Sequence, residues 1–309
     1  MKFSRFAVVF LLLVTSASAQ HTYQFLHLQT DPRAAALAGS FVSANDDPNA
    51  VFYNPAGIVY LQNTPVSFSF LKHVLDINAA SLSASTYLNG IGRVAAGIQY
   101  ISHGTFTEAD EFGNKGGEYS PGEVALTLGY ANSFAEEFHY GANVKLIYSS
   151  IQDYSSSAVA VDLGLHYAIP WEDIHIGFAA LNLGGQLSTY AGTTEDLPLD
   201  IVFGVSKKLE HLPVKLYLDF HRLNKESDSF FGRFNAFTFG AEFTISKTIV
   251  LRLGYDNEKR KELKIGDFAG LAGFNAGFGV TIKEYVVDYA FSSLGDIGAM
   301  HRFGVRTVF

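Results

Sequence analysis

The sequence predicts an all-β protein, a transmembrane outer-membrane β-barrel of about fourteen antiparallel strands, preceded by a short helical and turn-rich segment that plugs it. Three observations support this prediction. Segments of about ten residues alternate between apolar and polar side chains, which is the length that a tilted strand needs to cross a bilayer. The connectors between these segments mostly alternate between short and long, and the last segment ends on an aromatic residue.

The alternation runs from about Pro65 to the end of the chain. In one segment Val144, Leu146 and Tyr148 alternate with Lys145. Because successive strand residues point to opposite faces, each segment has one apolar face and one polar face. We expect the strands to begin near residues 66, 77, 93, 123, 139, 158, 174, 200, 214, 236, 249, 273, 285 and 300.

A soluble β-sandwich also alternates, and it is the competing fold. Its strands are usually shorter, and the Tyr and Phe residues at segment ends here resemble the aromatic girdles of membrane barrels. A mean hydropathy of +0.14 also fits an apolar outer face averaged with a polar lumen. The predicted lumen face carries charges of both signs: Lys145, Asp162, Lys215, Asp219, Glu242, Arg252, Asp288, Arg302 and Arg306. We expect Asp288 to form ion pairs with Arg302 and Arg306 on the neighbouring strand.

The alternation of short and long connectors predicts the orientation of the barrel in the membrane. Short turns such as 89–90 and 283–284 alternate with longer loops at 102–122, 184–199, 222–235 and 256–272. Bacterial barrels have short periplasmic turns and longer outer loops. Both ends of the barrel sequence are therefore expected on the periplasmic side.

The two chain termini carry export features. Lys2 and Arg5 precede a short apolar run and a small-residue cleavage site, so residues 1–19 are predicted to be a signal peptide. At the other end, alternate residues of the last strand lead to Phe309, which resembles the C-terminal signal that outer-membrane assembly machinery reads. The expected location is integral to the outer membrane of a Gram-negative bacterium, in contact with its lipid.

Residues 20–64 are expected to form the plug, and residues 65–309 the barrel. Asp31-Pro32 and the Ala-rich run after it predict a helix start. The plug motif consists of Asp46, Asp47 and Pro48, with Asn54 and Pro55 a few residues further on. A cation site at Asp46 and Asp47 is possible, but a capping or turn role is the simpler interpretation.

The sequence offers little support for catalysis. Cys is absent, and the ten His residues show no recognisable enzyme motif. His166, His175 and His221 fall on the predicted lumen face without the spacing of metal ligands. We therefore expect no enzyme, no metal and no cofactor. A net charge of -8 without a basic run also argues against nucleic acid as a partner.

Two functional classes remain. One is an anchor whose outer loops bind a surface partner, and the other is a conduit for an apolar small molecule. The charged lumen face favours the anchor, as do loop aromatics of the type enriched in interfaces. These candidate partner-binding residues are Phe106, Phe112, Tyr119, Tyr190, Phe230, Phe231 and Phe268, although simple packing within the loops is an equally good explanation.

Several short runs resemble a known family. They are residues 23–26, 34–39, 46–51 and 54–57 in the plug, and residues 95–100, 104–110 and 288–291 in the barrel. Together they resemble the PorV/PorQ family of FadL-like proteins, and most closely its PorQ-like members, in the type IX secretion system of Bacteroidota. The resemblance implies a fourteen-stranded barrel that anchors a PorZ-like surface protein beside PorU-like and PorV-like components. A PorV-like cargo shuttle is the related alternative.

Overall fold

The computed structural model describes residues 22–109, 112–225, 230–264 and 270–307. Fourteen antiparallel strands close into one barrel, in which the first strand pairs with both the second and the last. The predicted fold class is therefore confirmed. The signal peptide, Phe268 and Phe309 lie outside the described residues.

The barrel strands begin close to the predicted positions. They are β1 (Val66–Lys72), β2 (Asn78–Leu88), β3 (Gly92–Ser102), β6 (Gly122–Ser133), β7 (Phe138–Ile151), β8 (Tyr154–Ile169), β9 (Ile174–Ser188), β10 (Asp200–Lys208), β11 (Val214–Phe220), β12 (Phe237–Thr244), β13 (Ile249–Asp256), β14 (Phe274–Ile282), β15 (Tyr285–Ser293) and β16 (Ala299–Thr307).

The apolar face of each strand points outward. Leu128 is 68% exposed and Leu253 is 55% exposed, although both lie in strand interiors. In water such a band would be unfavourable, whereas in a bilayer it contacts hydrocarbon. Closure leaves no unpaired strand edge in lipid, where unsatisfied backbone groups are very costly. The chain is thus an integral outer-membrane protein.

The helical segments among the described residues are short, and half of them lie before the barrel. They are α1 (Pro32–Ala36), α2 (Asn257–Glu262) and 3-10 turns at Gln24–His27, Pro48–Phe52, Pro55–Tyr60, Pro170–Glu172, Phe230–Asn235 and Gly295–Ile297. Among the described residues, every helical segment is too short or too polar to traverse a bilayer.

The sequence does not predict three local features. The loop 103–121 contains a hairpin of β4 (Phe106–Ala109) and β5 (Lys115–Tyr119), which forms a separate two-stranded sheet. The loop after β13 begins with α2. Between β8 and β9 the register shifts around Asp162, opposite Asn182, whose φ is 63°. Such bulges are common at sites where a side chain must be redirected.

Candidate functional site: the plugged lumen and its outer rim

The N-terminal segment fills the lumen from the outer end to the periplasmic end. Near the outer end, the Tyr23 hydroxyl lies 2.5 Å from the Ser156 hydroxyl at the start of β8. At the periplasmic end, the Tyr60 hydroxyl lies 3.1 Å from His166 Nδ1, close to the end of β8. We refer to residues 22–64 as the plug.

Three Asx-Pro steps begin the last three of the four helical turns of the plug. The Asp31 carboxylate accepts a hydrogen bond from Ala34 N at 2.7 Å and starts α1. Asp47 and Asn54 likewise cap the two 3-10 turns that follow, and proline occupies the first position of each turn. Proline fits there because the backbone N–H that it lacks would have no helical partner. Asp47 and Asn54 therefore have capping roles, whereas Asp46 pairs with Arg33 at 2.9 Å.

Inward-facing glycines bring the plug directly against the barrel wall. A Cβ atom at Gly141 would come within 2.5 Å of the Pro55 carbonyl carbon, and one at Gly254 within 2.5 Å of the Ala36 oxygen. Both neighbours are backbone atoms, which cannot rotate away. The plug backbone thus lies where strand side chains would otherwise project.

A closed ring of alternating charges fixes the plug to the wall. We define the lumen charge ring as Arg33, Glu242, Arg252, Asp288, Arg306 and Asp47. In this order the successive N–O distances are 3.0, 2.7, 2.5, 3.1 and 3.3 Å, and a distance of 3.4 Å from Asp47 to Arg33 closes the ring. Two members come from the plug and four from β12, β13, β15 and β16. Each buried charge therefore has two opposite neighbours, which offsets its desolvation.

Arg302 departs from our expectation. The structure pairs Asp288 with Arg306 and Arg252, not with Arg302. In the strand register Asp288 lies opposite Gly304. Arg302 lies opposite Ala290, which is two residues closer to the outer end of the barrel. Its guanidinium instead donates to the Gln29 carbonyl at 2.5 Å and to the Ser292 hydroxyl at 2.8 Å. Arg302 thus holds the plug through neutral acceptors.

The other predicted lumen charges also face inward, but they lie outside the ring. Lys145 pairs with Asp162 at 2.9 Å and donates to Asn182 at 2.8 Å, across the β8–β9 bulge. Asp219 accepts hydrogen bonds from the backbone N–H groups of Phe41 and Val42 in the plug. Lys215 donates to Asn45 at 3.4 Å.

The lumen histidines occupy opposite ends. His166 and His175 surround Tyr60 at the periplasmic end, with ring centroids 4.9 and 5.8 Å from its own. His221 lies at the outer end, 3.3 Å from Asp200. In the described residues, no three His, Asp or Glu side chains converge in a way that could hold a metal ion.

Within the outer half of the plug, against the barrel wall, lies a cavity of about 50 Å³, partly lined by Leu26, His27, Val42 and Leu181. Burial lowers the pKa of the His27 imidazole to about 4, so this ring is neutral at neutral pH. The cavity has room for one or two water molecules.

The outer rim carries the predicted loop aromatics. Phe106 and Tyr119 stack on the β4–β5 hairpin with centroids 5.7 Å apart, and Phe112 at its tip is 82% exposed. Phe231 is 81% exposed on another outer loop. Tyr190 instead turns inward and donates to the Ser149 hydroxyl. The Phe230 side chain and Phe268 lie outside the part of the chain that the structure describes.

Sequence reasoning missed Arg33 and the inward glycines. Arg33 lies in an Ala-rich helix start and looks there like an ordinary exposed cation, yet it is 2% exposed. The glycines carried a detectable signal, because Gly129, Gly141, Gly164, Gly177, Gly240 and Gly254 all fall on the inward face of their strands. Strand glycines often mark a close backbone approach.

No protein-family model and no curated protein matches the chain. Solved structures do match. The toluene transporter TbuX of Ralstonia pickettii shares 14% identity and a TM-score of 0.58, over 90% of this chain and 98% of its own. A FadL homologue of Pseudomonas aeruginosa shares 11% identity and a TM-score of 0.55, over 90% and 97%. The toluene transporter TodX of Pseudomonas putida shares 13% identity and a TM-score of 0.54, over 88% and 95%. The chain therefore has the fold of FadL-like outer-membrane barrels.

Proposed function

We propose that this protein is a non-enzymatic outer-membrane anchor of the type IX secretion system. Its outer loops would hold a cell-surface protein of the attachment complex. The observation that carries the proposal is the plug, which the charge ring and the glycine contacts fix inside the lumen. A barrel filled in this way serves as a rigid platform, and its outer loops are the part left to interact.

The size of the outer cavity supports the same conclusion. An apolar cavity of about 150 Å³ can hold a molecule as small as benzene. The cavity between the plug and the barrel wall measures about 50 Å³. An apolar ligand would therefore have to displace plug residues that are held by ion pairs and backbone hydrogen bonds.

The outer rim has the composition of a docking surface. On the β4–β5 hairpin, the exposed Phe112 and the stacked Phe106 and Tyr119 lie beside the charged Glu118 and Lys115. Protein interfaces combine aromatic anchors at the centre with polar residues at the rim. The identity of the partner comes from the family resemblance alone. It suggests a PorZ-like surface protein, with PorU-like and PorV-like proteins as further members of the complex.

The test is to replace Phe106 and Phe112 together by alanine. We expect the surface partner to appear in the medium, because buried aromatic anchors each contribute about 2 kcal/mol or more to an interface. Immunoblots of cells and medium would measure partner release, and unheated SDS gels would verify that barrel levels are unchanged. The matched control is Phe134→Ala, because Phe134 is 75% exposed on a periplasmic turn. Retention of the partner by the double variant would contradict the proposal.

A second candidate is a conduit for a hydrophobic small molecule. The observation in its favour is the fold shared with proteins described as a toluene transporter and a monoaromatic hydrocarbon channel. In that case the rim variant would leave the partner attached, and a deletion strain would fail to take up an apolar nutrient. A PorV-like cargo shuttle would instead accumulate secreted proteins bound to the barrel.

A further inference from the structure

A second, larger cavity lies at the periplasmic end of the barrel. Residues 59–64 of the plug cross this end on their way to β1 and pass the turn between β2 and β3. Between them is an open cavity of about 500 Å³. Its polar lining comes from Asn63 and Thr64 on the plug side and from Thr86, Tyr87 and Arg93 on the strands.

Arg93 is the unusual residue of this cavity. It faces Tyr87 across β2 and β3 and is 3% exposed. Its Nη1 donates to the Asn63 carbonyl at 3.1 Å and to the Ser85 hydroxyl at 3.3 Å. Its Nε has no hydrogen-bond partner among the described residues, and none of their carboxylates lies within ion-pair distance of it.

The other buried arginines are satisfied. Arg33, Arg252 and Arg306 each contact two or more carboxylates in the charge ring. Arg302 places each of its three nitrogens on an acceptor. Arg93 therefore differs by combining a buried positive charge, unused donor capacity and an adjoining cavity. A guanidinium has five N–H donors in a fork that matches the oxygens of phosphate and carboxylate groups.

We propose that this cavity binds an oxyanion of the phosphate class, with Arg93 as its charged donor and the Tyr87 hydroxyl beside it on the same face of the sheet. A bound anion would compensate the buried cation, which is otherwise costly to desolvate. The cavity is larger than a free phosphate ion requires, and the adjoining β2–β3 turn exposes Leu88 and Ile91 at the membrane edge. Both features favour the phosphate of a phospholipid headgroup over inorganic phosphate. The site is independent of the proposed anchoring role at the outer rim.

The test uses the purified full-length barrel in detergent, with dihexanoyl phosphatidylglycerol as the probe and native mass spectrometry as the readout. The parent protein should retain the lipid, and Arg93→Gln should weaken binding about tenfold or more, as expected when a charged hydrogen bond is lost. Lys247→Gln is the matched control, because Lys247 is an exposed cation on another periplasmic turn. It should bind as the parent does.

Two further arms separate the possible outcomes. Thr64→Trp fills the cavity while keeping Arg93, so it should also lose the lipid even if Arg93→Gln folds poorly. Inorganic phosphate at millimolar concentration should compete weakly, whereas full competition would identify free phosphate as the ligand of the same site. The proposal is overturned if the parent binds neither anion, or if Arg93→Gln and Thr64→Trp bind the lipid as tightly as the parent.

Discussion

Asp288 joins two arginines of the lumen charge ring. Its two carboxylate oxygens pair with Arg252 at 2.5 Å and with Arg306 at 3.1 Å. Both arginines are at most 8% exposed, so water cannot replace the acid. Removing one partner of a buried ion pair leaves an uncompensated charge, and this loss exceeds the net contribution of the pair itself.

We therefore expect Asp288→Leu to lower the free energy of unfolding by about 3–5 kcal/mol. Urea titration of the barrel in detergent, followed by the shift between folded and unfolded bands on unheated gels, measures the change. Lys72→Ala is the control, because Lys72 pairs with Asp76 on the exposed outer end and such pairs contribute about 1 kcal/mol or less. Similar midpoints for Asp288→Leu and the parent would mean that the ring does not stabilise the barrel.

The sequence predicts which face carries these charges but not which charges pair. The period of two places Asp288, Arg302 and Arg306 in the lumen, and the structure agrees. Pairing depends on the stagger between strands and on a cation from the plug. Arg33 is 209 residues from Glu242, and nothing local in the sequence encodes their contact at 3.0 Å.

At the scale of elements, the plug and the strands are matched in shape. Glycines on β7, β13 and other strands leave room for plug backbone, and the Asx-Pro caps give the plug the tight turns that follow the curved wall. Protein interiors are close-packed, so even one added methyl group must displace a neighbour. Where that neighbour is backbone, the displacement moves a whole segment.

Gly254→Ala tests this match. The new Cβ would lie 2.5 Å from Ala36 O and from Ala38 N, so we expect a loss of about 1–3 kcal/mol in stability and faster proteolysis of the plug. Limited proteolysis of the purified barrel reports the second effect. Gly185→Ala is the matched control, because a Cβ atom there meets nothing within 4 Å. Equal resistance of the plug to proteolysis in both variants would argue against close packing of the plug on Gly254.

The regular elements were predictable and the irregular ones were not. Strand starts follow from the period of two, as at 66, 174, 200, 214, 249 and 285, which agree with the structure. The β4–β5 hairpin has strands of four and five residues, too short for a periodic signal, and one of them contains two glycines. The β8–β9 bulge depends on the left-handed backbone of Asn182 within a strand, and composition does not signal it.

At the scale of the whole molecule, the fold does not determine the function. The barrel shares its fold with toluene transporters and monoaromatic hydrocarbon channels at 12–14% identity, a level that shows the architecture alone. What distinguishes the two candidate functions is whether the plug must move. A conduit requires the plug to shift for each ligand, because the cavity between the plug and the barrel wall holds about 50 Å³. An anchor requires only that the outer loops remain in place.

A plug that is fixed to the barrel by a disulfide therefore discriminates between an anchor and a conduit. The Ser40 hydroxyl of the plug lies 2.8 Å from the Thr238 hydroxyl of β12, and both residues are buried. The chain contains no cysteine, so cysteines introduced at these two positions can pair only with each other within the molecule. We expect the oxidised Ser40→Cys/Thr238→Cys barrel to hold its surface partner as firmly as the reduced form, because the loops are untouched. Cell fractionation before and after reduction measures this, with Ser40→Cys alone as the control. If oxidation instead abolishes uptake of an apolar compound and reduction restores it, the plug is a moving gate and the protein is a conduit.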